Sequence, residues 1–206
     1  MDLYIALLLK QKEVSMKFKL TSQIESDKEK KKIRDVGLEL FKKRPMTDEE
    51  LLVNPGLFIR SGVLAKLLFL NEIYSMIIDI PGHVIEFGVW YGQSLTVFEN
   101  LRAIYEPYNY SRKIVGFDTF EGYPEISIND KESEIINVGN YKLKNGYEDF
   151  LTELVDYHEK ENVMKHIKKH EIVKGDILKT FPLWLKNNPS SVFSLLYLDV
   201  ALYEPT

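Results

Sequence analysis

Three short stretches hold residues whose types and spacing could do chemistry. The first is Glu86-Phe87-Gly88-Val89-Trp90-Tyr91-Gly92-Gln93-Ser94, where an apolar run gives way to a helix-like segment. Glycines at 88 and 92 let the backbone approach a ligand closely, and backbone amides at the following helix N-terminus offer hydrogen bonds to it. A Gly-x-x-x-Gly spacing serves packing or a tight turn equally well, so it needs a second signal beside it. That signal is Gly116-Phe117-Asp118-Thr119-Phe120-Glu121-Gly122, a second apolar run ending in an acid. A carboxylate at a strand tip can accept hydrogen bonds from both hydroxyls of a ribose; its plainer role is to cap the next turn. The third stretch, Gly175-Asp176-Ile177, puts an acid where it could accept from the exocyclic amine of an adenine or simply N-cap the next helix.

These stretches require parallel strands to carry them. Apolar runs at 83–89, 113–118, 171–175 and 194–200 read as strands, with helices over 94–105, 147–160 and 178–187. The alternation is that of a doubly wound α/β sheet with crossover helices. Ahead of it, Thr47-Asp48-Glu49-Glu50 reads as a helix start, Pro55-Gly56 as an interruption, and 57–80 as a long core-facing helix using Leu64, Leu67, Leu68, Ile73 and Ile77. Residues 1–80 are therefore expected to form an N-terminal helical extension or cap, and 81–206 the α/β domain. The charge-dense segment 26–35 reads as a solvated helix face or linker. The polar stretch 121–146 exceeds the usual loop length and, with the helix before Pro81, is the candidate lid.

Composition narrows the chemistry. At 206 residues, 45% hydrophobic and 28% charged, the chain can bury one sizeable core. A formal net charge of -4 offers no basic excess for nucleic acid, and a small-molecule ligand fits better. The absence of cysteine removes disulfides, thiolate nucleophiles and Cys-bound zinc. The apolar run 3–9 is far short of the roughly 20 residues of a spanning helix. It reads as the start of a helix or strand in a cytoplasmic protein with no membrane partner. His166 and His170, one helical turn apart if helical, could clasp a metal, but in the Lys-rich KHIKKH stretch they read better as surface residues. Tyr105, Tyr108 and Tyr110 read as packing residues rather than a base-stacking platform.

In order and spacing, VIEFGVWYGQS, VGFDTFEGYPE, IVKGDILKTFP and LLYLDVALYEPT resemble the macrocin O-methyltransferase family, over about Pro81 to Thr206. The resemblance implies a Rossmann-like class I methyltransferase sheet and S-adenosylmethionine as cofactor, with methyl transfer to a hydroxyl of a small, sugar-containing acceptor. It also implies that Glu86, Gly88 and the following turn with Trp90, Gly92 and Ser94 hold the methionyl part. Asp118, with Thr119 beside it, would take the ribose, and Asp176 would sit by the adenine. Trp90 and Tyr91 could flank the sulfonium, although core packing is their plainer role. At strand four the family reads Leu-Asp-x-Asp-Leu-Tyr, the first acid a ligand for a divalent cation such as Mg2+ and the second the general base. Asp199 matches the first acid, and Ala201 stands at the second.

Alanine can neither bind a metal nor take a proton, so the catalytic base has no candidate. The family's remaining acidic ligands follow a fifth strand, and the sheet is expected to stop, truncated, after its fourth. Strand four, SLLYLDV, is apolar enough to be covered on both faces and paired on both sides. At an edge it would need covering by the N-terminal segment or another chain, as in a homo-oligomer. A catalytically incomplete, methyltransferase-like binding or assembly module therefore stays open beside the enzyme. A nicotinamide-dependent dehydrogenase is disfavoured, because the turn lacks Gly-x-Gly-x-x-Gly.

Overall fold

The computed structural model describes residues 28–123, 130, 138–203 and 205–206. The apolar run 3–9 and most of the candidate lid, 124–129 and 131–137, lie outside the described residues. Two compact units divide the chain, Met1–Pro45 and Met46–Thr206. The first contributes helix α1, Lys28–Lys42, which starts in the charge-dense segment and runs past it. The second carries α2 (Asp48–Val53), a 3-10 turn (Pro55–Phe58), α3 (Ser61–Ser75), β1 (His83–Phe87), α4 (Gln93–Tyr105) and β2 (Ile114–Asp118). It continues through α5 (Tyr147–Glu161), β3 (His170–Lys174), α6 (Ile177–Asn187) and β4 (Phe193–Leu198). The expected division at 80/81 falls inside this second unit, between α3 and β1.

The four strands pair in the order β3-β2-β1-β4, all parallel. The chain moves outward from β1 to β3 and then returns to the other side of β1. The boundary between β1 and β4 is therefore the topological switch point, outside whose carboxyl ends ligands bind in open α/β sheets. Strand alternation sorts the core. Val84 and Ile114 pack with Leu70, Tyr74, Leu95, Phe98, Leu151 and Val155 from α3, α4 and α5 on one face. Ile85, Phe87, Val115 and Phe117 pack with Trp184 of α6 on the other. Among the described residues β4 pairs with β1 alone, and Leu196 and Leu198 are exposed, so β4 is an edge strand although its apolar sequence would suit pairing on both sides.

The segment before the sheet departs from a single helix over 57–80. Thr47 and Glu50 form a reciprocal capping box that starts α2, and Pro55 opens a separate 3-10 turn. The buried face of α3 and the turn after it is Leu70, Tyr74 and Ile77; Leu64 and Leu68 are exposed. After α3 the chain turns, and the Arg112 guanidinium fixes this turn by donating to Ile77 O (2.9 Å), Ile80 O (2.8 Å) and Gly82 O (2.9 Å). Glu106 holds the guanidinium at 2.6 Å. A buried arginine thus gathers the carbonyls of the turn between α3 and β1.

Candidate functional site

After β1 the chain turns through Gly88 (φ 88°) and Gly92 (φ 80°) into α4. Gly88 donates its N–H to Phe117 O at 2.9 Å. A Cβ there would lie 2.9 Å from the Asp199 carbonyl carbon, so β1 and β4 leave no room for a side chain. Gly92 is roofed by Leu151, whose Cδ2 would be 2.7 Å from a Cβ. Between them Trp90 also has a positive φ, 49°, a conformation costing a non-glycine residue roughly 1–2 kcal/mol.

Asp118 holds Trp90 there. Its Oδ2 accepts the Trp90 N–H at 2.7 Å, and its Oδ1 accepts the Phe120 N–H at 2.7 Å. The acid of β2 therefore caps its own turn and also joins the turn after β1, so a hydrogen bond links the two strongest sequence signals. Each carboxylate oxygen has a further lone pair for a ligand. Thr119 is occupied locally, its hydroxyl donating to Gly122 O at 2.9 Å and accepting from Glu121 N–H at 3.2 Å.

Glu86 lies beneath the turn, 1% exposed, with one carboxylate oxygen lacking a hydrogen-bond partner. Burial pushes its carboxyl well above the usual range, Asp199 adds to this, and Lys66 and buried Ser94 oppose. An orphaned buried acceptor is costly unless a donor arrives. A ligand ammonium is such a donor.

The rim is aromatic. Trp90 and Tyr91 are 43% and 52% exposed, which corrects the expectation that they pack in the core. Trp90 lies 4.5 Å from Tyr91 and 5.6 Å, edge-on, from Tyr141, centroid to centroid. Tyr123, 5.4 Å from Tyr141, is pushed up to about 12 by burial, with Tyr141, Asp199 and Asp118 contributing. Tyr108 and Tyr110 are likewise exposed rather than packed, whereas Tyr105 stacks on Tyr74 and donates to Asn71 at 2.9 Å.

Beside Asp118, across the tips of β2 and β3, is a cavity of about 390 Å³ lined by Thr119, Tyr123, Gly139, Lys174, Gly175 and Asp176 among others. Asp176 lines it while also N-capping α6, accepting from Leu178 N–H at 3.0 Å. Both roles expected from sequence are thus compatible at this position.

Asp199 follows β4, its N–H donating to Phe87 O at 2.8 Å. Its carboxylate receives the Lys66 ammonium from α3 at 3.0 Å. Burial pulls the Lys66 ammonium down, but Asp199 outweighs it and keeps the amine protonated. Sequence reasoning missed Lys66; the available signal was one charge inside the apolar run Val63 to Leu70. The donor set fits Mg2+ poorly: that ion asks for octahedral oxygen ligation at about 2.0–2.1 Å. Here an ammonium already faces Asp199, the position where the resemblance puts a metal ligand.

The histidine reading is half corrected. His166 is exposed in a turn, but His170 opens β3, is 3% exposed and lies 2.7 Å from Asp156 through Nε2. Burial pulls its imidazole below the usual value, and Asp156 opposes. A register that places Glu171 opposite Val115 carries His170 inward, which the lysine-rich flank concealed. His170, Glu99 and Glu159 form the one metal-capable trio among the described residues. The charges there are already matched: Arg102 pairs with Glu99 and Glu159, and Lys169 pairs with Glu159. No helix among the described residues is long and apolar enough to cross a membrane.

Among solved structures, the chain is similar to the crystal structure of CalS11, a calicheamicin methyltransferase. The TM-score is 0.84 at 36% identity, over 88% of this chain and 71% of that one. It is also similar to the apo structure of CalS11, described as a TDP-rhamnose 3'-O-methyltransferase of calicheamicin biosynthesis. There the TM-score is 0.74 at 34% identity, over 88% and 70% of the two chains. No protein-family model matches the chain, and no curated protein matches it.

Proposed function

This chain belongs to the O-methyltransferase family that includes CalS11, and from that premise we propose that it transfers the methyl group of S-adenosylmethionine to an oxygen of a small, sugar-containing acceptor. The four motifs support, within that family, a likeness to the macrocin O-methyltransferases. The observation that carries the cofactor reading is the contact of Asp118 with the 88–92 turn, beside a buried Glu86 oxygen without a partner.

The residues present fit the cofactor. Glu86 offers its orphaned oxygen to the methionyl ammonium, the N-terminus of α4 favours the methionyl carboxylate, and Asp118 retains acceptor capacity for the ribose hydroxyls. The cavity bounded by Thr119 and Asp176 suits the adenine. When bound, S-adenosylmethionine supplies an electrophilic methyl group on a sulfonium. Trp90, Tyr91 and Tyr141 present aromatic faces at the rim, which favour a cation and exclude water. Catalysis by this chain is then chiefly the orientation of an acceptor oxygen toward the methyl.

Calorimetric titration of the full-length protein with S-adenosylhomocysteine tests the reading. Saturable one-to-one binding is expected, and its absence from folded protein overturns the proposal. Ala201 favours a second reading, a module that binds the cofactor without turnover. TDP-rhamnose, the substrate in the name given to CalS11, is the first acceptor to assay. Methylation of it or another sugar acceptor excludes the module.

A further inference from the structure

We propose that Lys66 is the resident cation of the acceptor end of the cleft, its ammonium holding the place beside Asp199 where the resemblance puts a divalent metal ion. The inference rests on the methyl-transfer reading for its purpose, but on Lys66 and Asp199 alone for its geometry. Lys66 is the lone charge among the apolar residues from Val63 to Leu70, and α3 brings it to an acid 133 positions away. Asp199 cannot withdraw. Its N–H is tied to Phe87 O at 2.8 Å, and its carbonyl lies against Gly88, where a Cβ would not fit. The carboxylate is thus held at the switch point, and the lysine reaches it at 3.0 Å.

The pair is only partly covered, Lys66 at 38% and Asp199 at 50% side-chain exposure, so an incoming acceptor has access to both. The charges of Glu86 and Tyr197 also bear on the ammonium, while Tyr123 feels Asp199 and Asp118 together. These groups gather at the tips of β1, β2 and β4, beside the proposed cofactor site.

An ammonium has three hydrogens to donate. Asp199 Oδ2 takes one. Another can be given to the acceptor oxygen, fixing it near the proposed cofactor site as a bound metal ion would. The two cations compete for one position. A dication about 4 Å from an ammonium, even with water-like screening, loses affinity by roughly 30-fold.

The test titrates full-length protein with Mn2+, following the free ion by electron paramagnetic resonance, in wild type, Lys66→Met, Lys66→Arg, Asp199→Asn and the Lys66→Met/Asp199→Asn double variant. S-adenosylhomocysteine calorimetry on each variant reports folding and, independently, tests the parent reading. The wild type is expected to show no Asp199-dependent Mn2+ binding below about 1 mM, the weak end of protein cation affinities. Lys66→Met should bind Mn2+ on the order of 30-fold more tightly, with the gain lost in the double variant, while Lys66→Arg keeps the exclusion. Submillimolar wild-type binding that Asp199→Asn abolishes, or an Mn2+ affinity unchanged in Lys66→Met, overturns the proposal. Loss of S-adenosylhomocysteine binding in the wild type overturns the methyltransferase reading instead.

Discussion

Replacing Asp118 by Asn removes one charge and one acceptor while keeping the size of the side chain. In the native cleft both carboxylate oxygens accept backbone N–H groups at 2.7 Å, from Trp90 and from Phe120. Asparagine can satisfy one of these, but its NH2 then faces the other N–H, and two donors must separate. A hydrogen bond to a charged group is worth about 1.5–3 kcal/mol. If the same carboxylate holds the ribose, S-adenosylhomocysteine affinity falls by that increment, roughly 10- to 150-fold. Asp118→Ala goes further, because nothing then keeps Trp90 at φ 49°. The turn should relax and binding fall below detection. Calorimetry supplies the affinities and a melting curve the stability. Wild-type affinity in Asp118→Asn would refute the shared-cleft reasoning. A drop in melting temperature with affinity intact would leave Asp118 as a turn cap only.

Gly88→Ala should destabilise the protein by about 2–5 kcal/mol, from left-handed strain plus a clash against the fixed Asp199 backbone. A urea midpoint close to the wild type would show that β1 and β4 can separate cheaply. Arg102→Met leaves Glu99 and Glu159 buried without their shared guanidinium and should cost about 3–5 kcal/mol in denaturant unfolding. Adding Glu99→Gln should restore part of that loss, and failure to do so would argue against charge as the cause. His170 titrates below its usual value of 6.5 in the folded protein, chiefly through burial. As pH falls below about 6.5 the unfolded chain therefore takes up a proton that the folded state refuses, and stability present at neutral pH is lost. His170→Gln should flatten this decline in melting temperature between pH 7.5 and 5.5, and parallel curves would rule His170 out as its source.

What the amino-acid order determined by itself was the alternation of elements and the two halves of the cleft. Short apolar runs need partners on both faces, and the glycines at 88 and 92, which packing or a tight turn explains equally well, gained meaning only beside the acid at 118. The acid at 118, which closes the apolar run begun at 113, falls at a strand tip by counting alone. Local signals also located the helix start at Thr47 and the Asp176 cap, because caps involve residues within a few positions of one another. The tertiary structure decided everything that depends on distance across the chain. Lys66 meets Asp199, Arg112 closes the turn after α3, and His170 is carried from a basic flank into a buried network with Asp156 and Glu159. Hydrophobic period does not say which of Leu64, Leu68 or Leu70 turns inward, nor that the Trp90 and Tyr91 rings turn outward. A charge is placed by whatever countercharge the fold brings near it, and no spacing along one chain encodes that.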